Sequence, residues 1–443
     1  MIFVLFVLTI VFLLFIKAER MDKPSKMMLI FIVGFWLFAL FVPLTGYSNI
    51  YRPHDFTYFL LILNVFFFIL GFAFIKIRKC PVLLPDSISS EIKGLTQKRW
   101  VWVVAILVAL YVLSKIVIFW NSLSTYSTLR ELREDYFSGL IYGPEFPYVN
   151  MFFLGNFSCF FLPLFCFLLI RFKIDLKMLL VSGIATIGYI ILSGGRFGYF
   201  YVFINILTLE LVFGLSNYNK KRIISIVSLF AVLLFVILVY VSNAQKGNYD
   251  YEGNNNFSGG RESTTESIIL YSCGGVVAFD QVVNKNYEKR INGFQYGRLT
   301  FSSVDMFVDF LTSRFLGQSV NPSLKKISFK QDDVIMIGTD KSWNALYTAC
   351  LFYYLDFGII GCIVFPFLLG LLLRFLIKCL YILPTYSMLV LVCYILRCAI
   401  FSAIDYSLAA PFLGLFLILM YIDWYRKYHN RRKIKSAYSI PRK

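Results

Sequence analysis

Long apolar runs separated by short polar connections make up most of this chain. They fall roughly at 1–16, 27–44, 57–75, 101–120, 150–170, 178–192, 197–215 and 223–242, then at 346–370, 386–404 and 407–424. Each is close to the ~20 residues a helix needs to cross a hydrocarbon core. The pattern therefore predicts an all-α polytopic membrane protein of about eleven transmembrane helices. One stretch interrupts it. Residues 243–344 are polar, Gly- and Asn-bearing and mixed in charge, yet they carry Tyr271, Phe279, Phe294, Tyr296, Phe301, Phe310 and Phe315. That is enough aromatic surface to fold rather than merely link. The expected organisation is an N-terminal bundle of about eight helices (1–242), a large loop (243–344), C-terminal membrane helices (345–424) and a basic tail (425–443).

The polar segments have patterns of their own. In 128–139, Leu129, Leu132, Tyr136 and Phe137 recur at helical spacing and predict an amphipathic helix at the membrane surface. Residues 247–262 are turn-rich. Residues 263–279 read as a helix. So do 302–316, with Val304, Phe307, Val308, Leu311 and Phe315 on one face.

Composition agrees with the pattern. Hydrophobic residues are 59% of the chain and charged ones 15%, which excludes a soluble globular domain and disorder. The formal net charge of +18 would suggest nucleic acid on a soluble protein. Here the Lys and Arg residues gather in alternate loops: 17–26, 76–99, 171–177, 220–222, 374–378 and the tail. The positive-inside rule then puts the N-terminus outside, the C-terminus in the cytoplasm and the large loop outside. The basic tail needs only topology and anionic lipid, so no nucleic-acid partner is expected. Seven of the nine cysteines lie in or beside apolar runs, and Cys273 is alone in the large loop. No disulfide pair, metal centre or cofactor is expected from such spacing.

Candidate chemistry concentrates in arginines. Arg196 follows Gly194 and Gly195 where one apolar run turns into the next, at a helix N-terminus. Guanidinium plus free backbone N–H groups suit a phosphate; the alternative is a turn with a snorkelling arginine. Arg397 lies inside an apolar run, where an ionisable residue is a functional candidate. Arg298 and Arg314 in the large loop, and Arg130 and Arg133 in 128–139, are further candidates for gripping a pyrophosphate. For any one of them a salt-bridged surface role is as good a reading. Asp356 is partly embedded in an apolar run. Asp305 and Asp309 are four apart on one helix face, a spacing that suits a base and its orienting group but also an ordinary polar face. Of the two histidines, only His54 is external. It is the one imidazole available as a base, although a plain surface histidine is the simpler reading.

Asn344, Thr348, Tyr354, Asp356, Phe357, Gly358 and Gly361 follow the order Asn, Thr, then Tyr-x-Asp-Phe-Gly-x-x-Gly. With the SGGRFGYF turn at 193–200 and, more loosely, TLRELRED at 128–135, this resembles the oligosaccharide repeat-unit polymerases, the Wzy-type O-antigen and capsule polymerases. The duplicated Arg-bearing loop motif of some members is absent. The resemblance implies a metal-independent glycosyltransferase of the GT-C class in the bacterial cytoplasmic membrane. It would move a glycan from undecaprenyl pyrophosphate onto an incoming lipid-linked repeat unit. Arg196, Arg397, Arg298, Arg314 and Asp356 are the implied catalytic residues. Arg130, Arg133, Asn344, Tyr354, Asp305 and Asp309 are the implied substrate contacts. Membrane lipid, a chain-length regulator and a flippase are the implied partners. An O-antigen ligase shares donor and topology, but that family is associated with a histidine in the large loop, and 243–344 has none. A non-enzymatic exporter or flippase is the remaining alternative; no internal repeat supports it.

Overall fold

In the computed structural model, the residues described are 21–77, 84–122, 140–143, 146–150, 157–193, 196–213, 264–320, 335–339, 341–343, 347–406 and 413–438, with isolated positions between them. Helices α1 (Lys23–Phe41), α2 (Asp55–Phe74), α3 (Leu84–Thr96), α4 (Arg99–Ser122), α5 (Leu162–Phe172), α6 (Leu176–Ser193) and α7 (Arg196–Phe213) come first. Then follow α8 (Thr264–Asn284), α9 (Ser302–Leu316), the strands β1 (Ile335–Gly338) and β2 (Lys341–Trp343), α10 (Ala349–Ile382), α11 (Tyr386–Phe401) and α12 (Leu413–Tyr438). Among the described residues the protein is thus all-α apart from one antiparallel hairpin. Among the described residues, four helices are long and apolar enough to cross a membrane: Lys23–Thr45, Asp55–Phe74, Arg99–Ser122 and Ala349–Ile382. Shorter apolar helices occupy the runs expected at 150–170, 178–192, 197–215 and 386–404. The runs at 1–16 (but for isolated positions) and 223–242, and most of the helix expected at 128–139, lie outside the described residues. Helix α3 and the β-hairpin are additions to the sequence reading, and α12 carries helix well into the basic tail.

The chain divides into two compact units. The second comprises Pro81–Asn256 and Pro384–Tyr394. Its core sets Val108, Ala109 and Val112 of α4 against Ala185, Tyr189 and Leu192 of α6, with Phe146 and Leu162. A buried ion pair, Arg171 with Glu210, ties α5 to α7, and the Arg171 guanidinium lies 4.4 Å over the Phe213 ring.

The first unit comprises Met1–Cys80, Phe257–Leu383 and Ile395–Lys443. Helices α2 and α10 pack tightly, because Gly71 and Gly370 let each backbone approach the other. Helix α10 is not a rod. At Phe357 (φ −142°, ψ 19°) and Gly358 (φ 60°, ψ −139°) the backbone leaves the helical region. Only glycine adopts the second conformation without strain. Residues twelve apart in an unbroken helix are separated by ~18 Å. Yet the Cys350 and Cys362 sulfurs are 3.4 Å apart. The Tyr353 and Phe365 rings stack at 5.3 Å. So the limb 349–356 folds back along the limb 359–382, as a helical hairpin turning at Gly358.

Non-helical backbone is tolerated at membrane depth only when its polar groups find partners. At the start of the short limb, Thr348 Oγ1 accepts from the Cys350 N–H (2.9 Å), and the Ala349 N–H donates to Ser402 O (2.8 Å). Ser402 Oγ in turn accepts from the Trp36 indole (2.9 Å). At the turn, the freed carbonyls of Leu355 and Asp356 accept from the N–H groups of Gln295 (3.0 Å) and Tyr296 (3.2 Å). Gly361 makes the return possible: a Cβ there would stand 2.0 Å from Tyr353 O. Gly361→Ala is therefore expected to wedge the limbs apart and cost about 1–3 kcal/mol. The thermal midpoint of the detergent-solubilised protein measures this; an unchanged midpoint would mean that the limbs are not in contact.

Candidate active site

Large-loop and first-loop segments meet over one end of the first unit. The 3-10 turns Val42–Thr45 and Tyr47–Asn49 lead into Ile50, which bridges to Gly338, while the Tyr51 N–H donates to Ile337 O (2.8 Å). The hairpin in turn rests on α8, where Tyr271 and Trp343 have ring centroids 5.6 Å apart. The central part of α8 is buried, with Cys273, Val276, Val277, Ala278 and Phe279 all inaccessible.

This clamp brings His54 against α8. Asp280 is set in the apolar run VVAFDQVV and its side chain is 2% exposed. A buried carboxylate is tolerated when its oxygens are filled with hydrogen bonds. Asp280 Oδ1 accepts from the His54 backbone N–H (2.8 Å) and the Thr57 hydroxyl (2.7 Å). Its Oδ2 lies 3.0 Å from His54 Nδ1. The His54 side chain is 66% exposed, so one edge of the ring is held and the other faces out.

The Asn284 amide nitrogen is also 2.7 Å from Nδ1 and donates to Asp280 O (2.9 Å). The two neighbours favour opposite tautomers. A carboxylate only accepts, and the charged hydrogen bond is the stronger, so Nδ1 keeps the proton. In the neutral ring that leaves the lone pair on Nε2, outward. A buried carboxylate that fixes ring and tautomer is what an imidazole general base requires. His54 is also the residue before α2, so this imidazole stands at the end of a membrane-length helix.

Asp356 is fully buried at the hairpin turn. Its carboxylate accepts from the N–H groups of Leu299 (3.1 Å) and Thr300 (2.6 Å), and Thr300 O accepts from the Tyr406 hydroxyl (2.5 Å). It thus fastens the large loop to the broken helix. Tyr354, half-buried, packs its ring edge-on to Phe279 at 5.8 Å, beside Asp280 in sequence.

Arg298 and Asp305 hold each other, with Nε and Nη2 both 3.0 Å from Oδ1. Asp305 Oδ2 accepts from the Ser323 N–H (2.7 Å). Asp309 is buried and accepts from the Ser319 hydroxyl (2.6 Å) and the Val320 N–H (3.0 Å). These two carboxylates pin the turn that follows α9. Arg314 is exposed near the end of α9, and Arg397 is buried in α11. Arg298, Arg314 and Arg397 belong to the first unit and Arg196 to the second. Arg130, Arg133, Asn344 and the side chain of Arg196 lie outside the described residues.

Thr57 and Asn284 were not among the sequence candidates. A usable signal was the lone carboxylate at Asp280 within eight otherwise apolar or uncharged positions. Among the described residues, no group of three or more His, Cys, Asp or Glu side chains is placed to hold a metal ion. No family model matches the chain, and no curated protein or solved structure matches it.

Proposed function

We propose that this protein is a polysaccharide polymerase of the GT-C class, with about eleven spans in the bacterial cytoplasmic membrane and its large loop outside. It joins oligosaccharide repeat units carried on undecaprenyl pyrophosphate. His54 Nε2 takes the proton of the acceptor sugar hydroxyl as that oxygen attacks the anomeric carbon of the donor glycan. The bond from that carbon to the pyrophosphate oxygen breaks, and the pyrophosphate leaves with the lipid. Arginines, Arg397 foremost among those of the first unit, stabilise the charge that develops on the leaving group. Asp356 and Tyr354 hold the loop, as a lid, on the membrane helices.

The observation that carries this reading is the imidazole oriented by Asp280 beside the first residue of a membrane-length helix. A lipid-anchored pyrophosphate sits at the membrane surface, and a base at a helix end is at the level of its sugars. The resemblance at 344–361 supplies the donor and acceptor class.

The same observation favours an O-antigen ligase as second reading. No histidine lies within 243–344, but His54 from the first loop is seated on α8 of that segment. The missing loop histidine therefore no longer separates the two enzymes. Supplying the reconstituted protein with lipid-linked repeat units and a lipid A core acceptor does. A ladder of longer lipid-linked chains is the expected result. Transfer to a lipid A core acceptor without a ladder would establish the ligase. Movement of unpolymerised units across the bilayer with neither product would reject both.

A further inference from the structure

Helix α9 is built inside out for a helix in water. Its buried positions are Ser302, Ser303 and Asp309. Four of its apolar side chains are exposed: Val304 by 53%, Val308 by 41%, Phe315 by 76% and Leu316 by 70%, while Phe307, Phe310 and Leu311 are half-buried. The face begins with Phe301, 58% exposed, just before the helix. A monomer in water does not leave such a face uncovered without a reason.

What covers it follows from where the face leads. The Phe301 ring meets Phe365 at 6.0 Å, and Tyr296 meets Phe357 at 6.2 Å. Both partners belong to α10. Beyond them the long limb of α10 presents Ile360, Val364, Leu368 and Leu372, all exposed and one helical turn apart. That is the lipid stripe of a membrane-length helix, and the α9 face is continuous with it. Arg314 in the last turn of α9 is exposed and suits a phosphate headgroup. The polar edge of the helix is turned inward, where Asp305 and Asp309 hold the following turn.

We propose that α9 is an interfacial helix, with Val304, Val308, Phe315 and Leu316 immersed in bilayer lipid beside α10. It is then a fixed membrane anchor of the large loop and not part of a water-exposed lid. The proposal does not depend on the polymerase reading, because its test measures no activity.

Val304→Cys, Val308→Cys and Phe315→Cys are each labelled with a nitroxide in the protein reconstituted in phosphatidylethanolamine–phosphatidylglycerol vesicles. Lys289→Cys, on an exposed position of the same loop, is the aqueous reference. Signal from the wild-type protein, treated alike, is subtracted. The expected result is collision with oxygen exceeding collision with a water-soluble nickel chelate at the three α9 sites, by several-fold over the ratio at Lys289. Nickel accessibility equal to that at Lys289 would place α9 in water and overturn the proposal. Inaccessibility to both, with dipolar broadening between labels, would mean that a second copy covers the face, and would overturn it equally.

Discussion

His54→Gln lowers glycan chain extension about 10²–10⁴-fold, the usual share of a general base, while the protein accumulates in the membrane as before. The fall is expected in kcat, with the KM for the lipid-linked donor unchanged, because Nε2 acts on the acceptor proton and not on the pyrophosphate. Glutamine keeps a polar side chain at an exposed position, so loss of folding is not the expected outcome. Asp280 is a positioning residue in this scheme. Asp280→Asn retains its shape and much of its hydrogen bonding but presents an amide where Nδ1 now donates. It releases the tautomer that puts the lone pair on Nε2, so extension falls and its pH profile changes shape. A purely structural role for Asp280 would lower the amount of folded protein and leave the profile per molecule unaltered. Chain extension within about ten-fold of wild type in His54→Gln is too small a loss for a general base and would reject the role.

Nothing local in the sequence joins these two residues, which stand 226 positions apart. What is legible locally is that each is unusual: one of only two imidazoles in the chain, and a carboxylate inside an apolar helical run. Their meeting depends on the clamp of residues 50–51 onto the β-hairpin, a tertiary event. The hairpin itself has a readable signal on one side only: VIMIG carries the β-branched Val334, Ile335 and Ile337 ahead of the Thr-Asp pair, whereas KSW after it has no β-branched residue.

The apolar runs are the most legible feature, since hydropathy depends only on composition over a helix length. The same insensitivity hides the reversal in α10. Residues 346–370 read as one apolar run, yet the limb 349–356 travels opposite to the limb 359–382. Gly358 and Gly361 mark the turn, but glycines are common in membrane helices and do not announce a change of direction. For α9, periodicity predicts the extent Ser302–Leu316 and the membership of the apolar face. It does not say which way that face points, because the medium around the helix decides that. Apolar-in is the rule in water, and the structure has Val304 and Phe315 outward.

At the other end of α10, Arg374→Met is expected to cost about 3–5 kcal/mol of stability, the price of leaving one buried charge without its partner. The Arg374 side chain is 2% exposed and that of Asp22 is 6% exposed. Arg374 joins three elements. Its Nη1 contacts Asp22 Oδ1 at 3.2 Å and the Ser25 hydroxyl, and its Nε donates to Ile75 O (3.0 Å) at the end of α2. The guanidinium also lies 5.1 Å over the Phe72 ring. Asp22 is the N-cap of α1, accepting from the Ser25 N–H (3.2 Å), and it also accepts from the Tyr381 hydroxyl (3.0 Å). Removing the guanidinium therefore strips the Asp22 carboxylate of its counter-charge and the Ile75 carbonyl of its donor at once. Unfolding of the bicelle-embedded protein by denaturant measures the loss. Arg374→Lys retains the charge but not the planar fork, so it can satisfy Asp22 or Ile75 but not both, and an intermediate loss is expected. Asp22→Asn in the Arg374→Met background removes the orphaned charge and should recover part of the stability. A loss below about 1 kcal/mol in Arg374→Met is the behaviour of a solvent-exposed pair and would contradict the burial. The same helix is thus held at one end by a buried ion pair and broken at the other. The pair fixes the long limb between α1 and α2, and against that fixed limb the hairpin can present Asp356 to the loop.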